Sequence, residues 1–246
     1  FTLDATRARV RRADARLRRA EGIRELGPLE AALAGVMQDY QSIQDEIAAS
    51  FDADASSLEL ARLAGVLGDK QSRIEVLRGQ RTRDGFATSR EPTVLAGALE
   101  TFNRAESRAL DAVRRFFELS TANPANGILR RDLWLAWHNV ATARMEAGFT
   151  HALAEHDAEK LAAFQSALEA IIKATDIARA LAAADEANLE AQRDVALDLN
   201  KLGNMWRELS DAGPAQERET ALANAAAAFT ESLALRRQVL LTDPTH

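Results

Sequence analysis

The chain contains no cysteine, which excludes disulfides, thiolate metal sites and a cysteine nucleophile. A cysteine-free chain is equally at home in cytosol or periplasm. No apolar run approaches the roughly 20 residues that a membrane-spanning helix needs. Five prolines and twelve glycines in 246 residues leave little room for the many turns of an all-β fold. Aromatic residues are sparse at 5%, while Ala and Leu dominate, a mixture that favours close-packed helices over sheet. There is no glycine-rich phosphate loop and no kinase catalytic loop. Ser and Thr are scattered without a partnered His and Asp. With 47% apolar and 28% charged residues, the composition is that of a folded chain rather than a disordered one.

Charge is unevenly spread. The net value is −6, yet residues 1–24 carry eight arginines against Asp4, Asp14 and Glu21, a local +5 that leaves −11 for the remainder. The arginines circle the helix rather than forming a stripe, and no aromatics interleave for base stacking, so nucleic-acid binding is not the expectation. Residues 1–27 read instead as a basic helical stalk or linker. Phe1 is not an initiator Met, and the chain stops at Asp243-Pro244-Thr245-His246 where another repeat would begin. Both ends read as cuts from a longer protein, with any membrane attachment made only through a missing anchor.

An echo runs through the second half. Asn126-Gly127-Ile128-Leu129-Arg130-Arg131-Asp132-Leu133 returns 62 positions later as Asn188-Leu189-Glu190-Ala191-Gln192-Arg193-Asp194-Val195. The turn before it recurs as Ala122-Asn123-Pro124, Ala184-Asp185-Glu186 and Thr242-Asp243-Pro244. A fixed period of this length marks stacked supersecondary units that bury a core only against their neighbours. A repeat domain over 28–246 follows, with units of about 56–124, 125–186 and 187–246.

Apolar spacing predicts a helix from Leu29 to Ala49, ended by Phe51-Asp52-Ala53-Asp54, and another capped by Ser56 or Ser57 and running to about Leu77. Residues 79–92 read as the clearest loop. Further helices are expected over Thr93–Thr121, about Ile128–Ala147 with Gly148 as the stop, about Asp157–Ala184, about Leu189–Ser210 and about Gln216–Leu241. Short connections imply antiparallel neighbours.

The tetratricopeptide pattern, Trp-x2-Leu-Gly-x2-Tyr followed by Ala-x3-Phe and Pro, resembles Leu199-x2-Leu202-Gly203-x2-Trp206, Ala225-x3-Phe229 and Pro244 here. An earlier unit offers Ala64-x2-Leu67-Gly68-x2-Gln71, Ala98-x3-Phe102 and Pro124. The middle one offers Trp137-x2-Val140-Ala141-x2-Arg144 and Phe164, with Lys160 where Ala is expected. The period exceeds the usual 34 residues of that repeat, which adds about four turns to each helix. The resemblance thus implies an all-α, tetratricopeptide-like solenoid of long antiparallel helix pairs with an N-terminal helical cap.

A narrower similarity rests on Met37-Gln38-Asp39-Tyr40, Leu67-Gly68-Asp69-Lys70-Gln71, Leu95 to Phe102, the repeated Arg-Asp pairs and Leu199-Asn200-Lys201-Leu202-Gly203. These resemble the C-terminal tetratricopeptide region of bacterial eukaryotic-like Ser/Thr protein kinases. That similarity implies a non-catalytic sensor or docking region in signal transduction, periplasmic and tethered to the inner membrane in the full-length protein. A structural self-association scaffold of a cytoplasmic multidomain protein is the alternative, with a homodimer possible. The first helix of each unit would line a concave groove that takes a protein or peptide ligand. Carried onto this sequence, the groove positions are His138, Asn139, Thr142 and Glu146 in the second unit and Asn200, Lys201, Asn204 and Arg207 in the third, with Arg62, Asp69 and Arg73 in the first. No cofactor is implied.

Two constellations have plainer readings. His151 and His156 are five apart, about 140° around a helix, whereas paired zinc ligands need i and i+4. With Glu155 and Glu159 they read as a solvated helix start after Gly148, and no metal is expected. Trp137 and Trp206 read as core, and Trp134, a turn earlier, as the exposed one.

Overall fold

Ala-rich and Leu-rich segments separated by short polar turns have little choice but helix, and the computed structural model is all-α. It describes residues 2–23, 25–51 and 58–242. Eight α-helices follow one another: α1 Leu3–Glu21, α2 Leu26–Phe51, α3 Leu58–Ser89, α4 Pro92–Ala122, α5 Gly127–Leu153, α6 Asp157–Ala184, α7 Leu189–Ala212 and α8 Arg218–Thr242. They form a helical-repeat stack in which α3–α4, α5–α6 and α7–α8 are the three most intimate pairs, joined through α4–α5 and α6–α7. The rest of the expected stop after Phe51, at residues 52–54, the Ser56 or Ser57 cap and the Asp243-Pro244 turn lie outside the described residues.

The 62-residue echo has a local cause. Asn126 caps α5, its side chain accepting from the backbone N–H groups of Ile128 and Leu129 at 3.1 and 3.3 Å. Asn188 caps α7 in the same way, accepting from Ala191 N–H at 3.0 Å. Each satisfies donors that the first helical turn leaves unpaired.

Two expected boundaries are corrected. Residues 79–92 are not a loop, because α3 continues to Ser89 and the turn is only Arg90-Glu91, with Arg90 in the left-handed region at φ 56°. Likewise Gly148 does not stop α5, which runs on to Leu153 and turns at Ala154–His156. The reason is the same in both places. A Cβ built on Gly79 would lie 2.5 Å from the Phe102 ring, and one on Gly148 would lie 2.5 Å from the Phe164 ring. These glycines are vacant steps into which an aromatic ring of the paired helix presses. Gly203 and Phe229 repeat the device in the third pair at 2.7 Å. The register expected for the first two units is therefore displaced. Phe102 seats on Gly79 rather than Gly68, and Phe164 on Gly148 rather than Ala141.

Close approach also shows in hydroxyl bonds to the paired helix backbone, from Ser72 to Ala105 O at 2.7 Å and from Ser232 to Ala196 O at 2.6 Å. One core gathers alanines such as Ala109, Ala136, Ala167, Ala170 and Ala174 around Phe116, Trp134, Phe164 and Ile171. Small residues let helix axes approach, and the rings fill what remains.

The basic segment expected as a stalk is helical and packed. Val10, Ala13, Leu17 and Ala20 of α1 join Leu29, Leu33, Val36, Tyr40, Ile43 and Ile47 of α2 in a second core with Leu60, Leu67 and Ile74 of α3. Several of its arginines meet acids of the next helices: Arg9 pairs with Glu46, Arg16 with Asp39 and Arg7 with Glu59. Tyr40 donates to Asp14 at 2.6 Å, and Lys70 meets the same carboxylate at 2.9 Å. Among the described residues no helix is long and apolar enough to cross a membrane.

Candidate functional site

The first helices of the three pairs, α3, α5 and α7, are laced together by polar side chains. Arg62 grips Asp132 with two nitrogens, at 2.5 and 3.2 Å. One helix further on, Arg131 grips Asp194 at 2.8 and 3.4 Å and also meets Glu190 at 2.8 Å. The repeated Arg-Asp dipeptide thus has a double role. Its Asp is held by the preceding helix and its Arg reaches for the next, as Arg131-Asp132 does in both directions. Bidentate geometry makes these ties stronger and more directional than ordinary surface pairs.

Deeper along the same seam lies a buried cluster. Asp198, with no exposed surface, accepts from Trp134 Nε1 at 2.6 Å and shares a 2.7 Å bond with His138 Nδ1. Burial and the neighbouring Lys201 hold the His138 imidazole below its ordinary range, against the pull of Asp198. The pair is therefore a carboxylate accepting from a neutral imidazole at pH 7 and not a full ion pair. Lys201 donates to Thr142 Oγ1, whose own proton goes to His138 O at 2.8 Å. Burial pushes the Lys201 ammonium down to about 8, with Asp198 and Glu146 opposing. Glu146 in turn is taken by Gln80 at 2.8 Å and Arg83 at 2.6 Å.

These helices and α1 enclose an open cleft of about 630 Å³. Its walls mix Leu17, Val66, Val76, Leu135 and Leu197 with Arg62, Asp69, Arg73, His138, Asn139, Thr142 and Lys201. Of the groove residues expected from the sequence, the structure brings together His138, Asn139, Thr142 and Lys201 with all three from the first unit. Asn200, Asn204 and Arg207 lie outside this cleft. The two asparagines are half-buried, and Arg207 is exposed and bonded to its neighbour Glu208 at 2.7 Å. Glu146 is buried beneath the seam.

Trp134 is corrected from exposed to buried at 3%, because its indole N–H needs the Asp198 carboxylate. Trp137 packs against the core with the Lys173 ammonium 4.3 Å above its ring, and Trp206 is half-buried. His151 and His156 flank the α5–α6 turn with rings 5.9 Å apart. Among the described residues no three His, Asp or Glu side chains are placed to hold a metal ion.

Sequence reasoning missed Asp198, Gln80 and Arg83. Asp198 follows the echoed Asp194 by one helical turn, and two carboxylates at i and i+4 on one face of α7 were the available signal.

Asp69 gives a test of this polar seam. It is buried, accepts from Asn139 at 2.7 Å, and burial raises its carboxyl to about 6 from 3.8. The folded state therefore binds a proton that the unfolded state has released between about pH 4 and 6. Its contribution to stability is fully present below pH 4 and is lost as pH rises through 6. Asp69→Asn keeps an oxygen for Asn139 and removes the charge. The variant should match the parent near pH 4 and exceed it by roughly 1–3 kcal/mol at pH 7.5 in urea titrations. Equal stability at both pH values would show that Asp69 carries no burial penalty.

No protein-family model matches the chain, and no curated protein matches it in sequence. Two solved structures are similar over nearly its whole length. One, described as "DHF58 filament", is 15% identical, covers 96% of this chain and 94% of its own, and has a TM-score of 0.47. The other, from "Computational Design of Self-Assembling Cyclic Protein Homooligomers", is 13% identical with the same coverage and a TM-score of 0.38.

Proposed function

We propose that this chain is a non-catalytic protein- or peptide-binding repeat module that captures its ligand in the cleft along α3, α5 and α7. The observation that carries this reading is the convergence of apolar walls with outward polar groups in a cleft of about 630 Å³. Leu135 and Leu197 are 39% and 42% exposed and offer apolar contact. Asn139 keeps its amide oxygen as an acceptor, and Lys201 has further N–H donors beyond the one given to Thr142. An extended segment with alternating apolar and hydrogen-bonding groups suits such walls. The similarity of the sequence to the tetratricopeptide regions of bacterial Ser/Thr kinases supports a sensor or docking role outside the cytoplasmic membrane. A topology reporter fused to the C-terminal end of the full-length protein tests that placement.

The binding test uses a displayed peptide library selected on the folded chain. Leu135→Lys with Leu197→Lys should weaken the selected peptides at least tenfold, about 1.4 kcal/mol. Asn200→Ala with Asn204→Ala, outside the cleft, should leave them bound. Selected peptides that ignore the cleft substitutions would overturn the assignment.

A further inference from the structure

Gln71 is a buried polar residue in an apolar place. Counting back eight residues from the glycines that seat the rings, Gly79, Gly148 and Gly203, the position is Gln71 in α3 but Val140 in α5 and Val195 in α7. All three are buried, Gln71 at 1% exposure. Arg108 donates to Gln71 Oε1 at 2.9 Å, which fixes the amide's orientation and turns its nitrogen the other way. That nitrogen is buried and has no hydrogen-bond partner among the described residues. A buried donor without an acceptor is costly, so it marks a place where an acceptor from outside the chain would be held.

The surroundings differ from the second pair in the same direction. Gln71 lines a recess of about 190 Å³ between α2, α3 and α4, together with Gly65, Gly68, Arg108 and Arg115. By the same count from the seated rings and their glycines, these four positions are Trp134, Trp137, Ala170 and Ile177 in the second pair, all in the core or packed against it. Two indoles and two aliphatic groups thus give way to two glycines and two guanidinium groups. Gly65 lets the Arg115 stem lie close, since a Cβ there would come within 3.1 Å of Arg115 Cδ. Neither arginine forms an ion pair among the described residues. Asp111 also lines the recess, and Arg114 takes it at 2.5 Å. On the α2 side, Gln44 donates its amide nitrogen to Ala64 O at 3.1 Å, which leaves its oxygen as an acceptor.

We propose that this recess binds a small anion carrying a phosphate group. Arg108 and Arg115 meet its oxygens through paired N–H bonds, the geometry that planar guanidinium groups favour. Gln71 Nε2 supplies a third donor from the buried side. The Gln44 oxygen accepts from a protonated phosphate oxygen, a bond that an ionised carboxylate cannot return. Gln44 lies seven residues before the end of α2 and Gly68 ten residues after the start of α3, so the site is set within continuous helices and is not an end face of the stack. It shares no residue with the central cleft, and the inference does not depend on what that cleft binds.

The test is calorimetric titration of the whole chain with inorganic phosphate, with ionic strength held constant by chloride. Saturable binding at one site per chain is expected. It should weaken roughly tenfold or more in Arg115→Gln, an exposed position that the fold tolerates, and in Arg108→Gln. Gln71→Glu keeps an acceptor for Arg108 and sets a carboxylate where the phosphate would sit. That variant should melt no lower than the parent and lose phosphate binding. Arg179→Gln removes the same charge from an exposed site on α6 and should leave the affinity unchanged. Glycerol phosphate provides a further arm. Tighter binding of the ester would make a phosphorylated metabolite the ligand, and tighter binding of inorganic phosphate would make it the free anion, either of which supports the site. Heats no different from those of added chloride would overturn the proposal, as would an equal loss in Arg179→Gln. Acetate bound as tightly as phosphate would equally overturn it, because the recess would then select charge alone.

Discussion

Phe164→Ala is expected to destabilise the fold by about 3–5 kcal/mol, the range for removing a buried aromatic ring. The ring is 1% exposed, meets Phe149 edge to face at 5.3 Å and fills the space that Gly148 leaves on the paired helix. The converse change tests the same contact from the other side. Gly148→Ala should gain about 1 kcal/mol of helix propensity, but its methyl carbon would sit 2.5 Å from the ring. Displacing a packed ring costs about 1–3 kcal/mol, so the single substitution should be neutral to destabilising. In the Phe164→Ala background the obstruction is gone, and Gly148→Ala should become stabilising by about 1 kcal/mol. Urea denaturation of the four proteins measures the coupling. If Gly148→Ala has the same effect in both backgrounds, the ring and the glycine are not in register. Gly79 with Phe102 should behave alike, and Gly203 with the half-buried Phe229 should show the same coupling with a smaller loss when the ring is removed.

That recurrence explains what was and was not legible in the sequence. Helix existence follows from composition and apolar spacing, and it is found where expected from α2 to α8. The echo at Asn126 and Asn188 was visible as similarity, and its meaning is local, since an asparagine cap needs only its own helix. Glycine was the misleading signal. Read locally, Gly79 and Gly148 weaken a helix and suggest an end. Their role depends on a ring 16 to 23 positions away on the paired helix, and no local pattern specifies that partner. Of the glycines read as motif positions, only Gly203, beside Leu202, is found in the expected register.

The site was legible to the same degree. Positions transferred by helical register, His138, Asn139, Thr142 and Lys201, do share one cleft. Asn200 and Asn204 belong to the same helix as Lys201 but do not line that cleft, so one residue of rotation separates a lining position from a non-lining one. Trp134 misleads for a related reason. An indole early in a helix looks like surface until a carboxylate 64 positions on, Asp198, gives its N–H a buried partner.

Asp198→Ala is therefore expected to be among the most damaging polar substitutions, with a loss of about 3–5 kcal/mol at pH 7.5. It strands the buried Trp134 Nε1 donor and takes away the partner of His138 Nδ1, and each orphaned buried group costs about 1–3 kcal/mol. It also removes a negative charge that supports the buried Lys201 ammonium, so that amine should titrate below the value of about 8 it has in the parent. Asp198→Asn separates the charge from the bonds. Its oxygen can face the indole N–H, and its amide can donate to His138 Nδ1 once the neutral imidazole carries its proton on Nε2. The Asp198→Asn variant should therefore lose only about 1–2 kcal/mol. The indole N–H resonance of Trp134 distinguishes the two variants. It should stay downfield in Asp198→Asn, where the bond survives, and shift upfield in Asp198→Ala, where it does not. Equal losses of stability for both variants would mean that the charge, rather than the paired hydrogen bonds, holds α5 against α7.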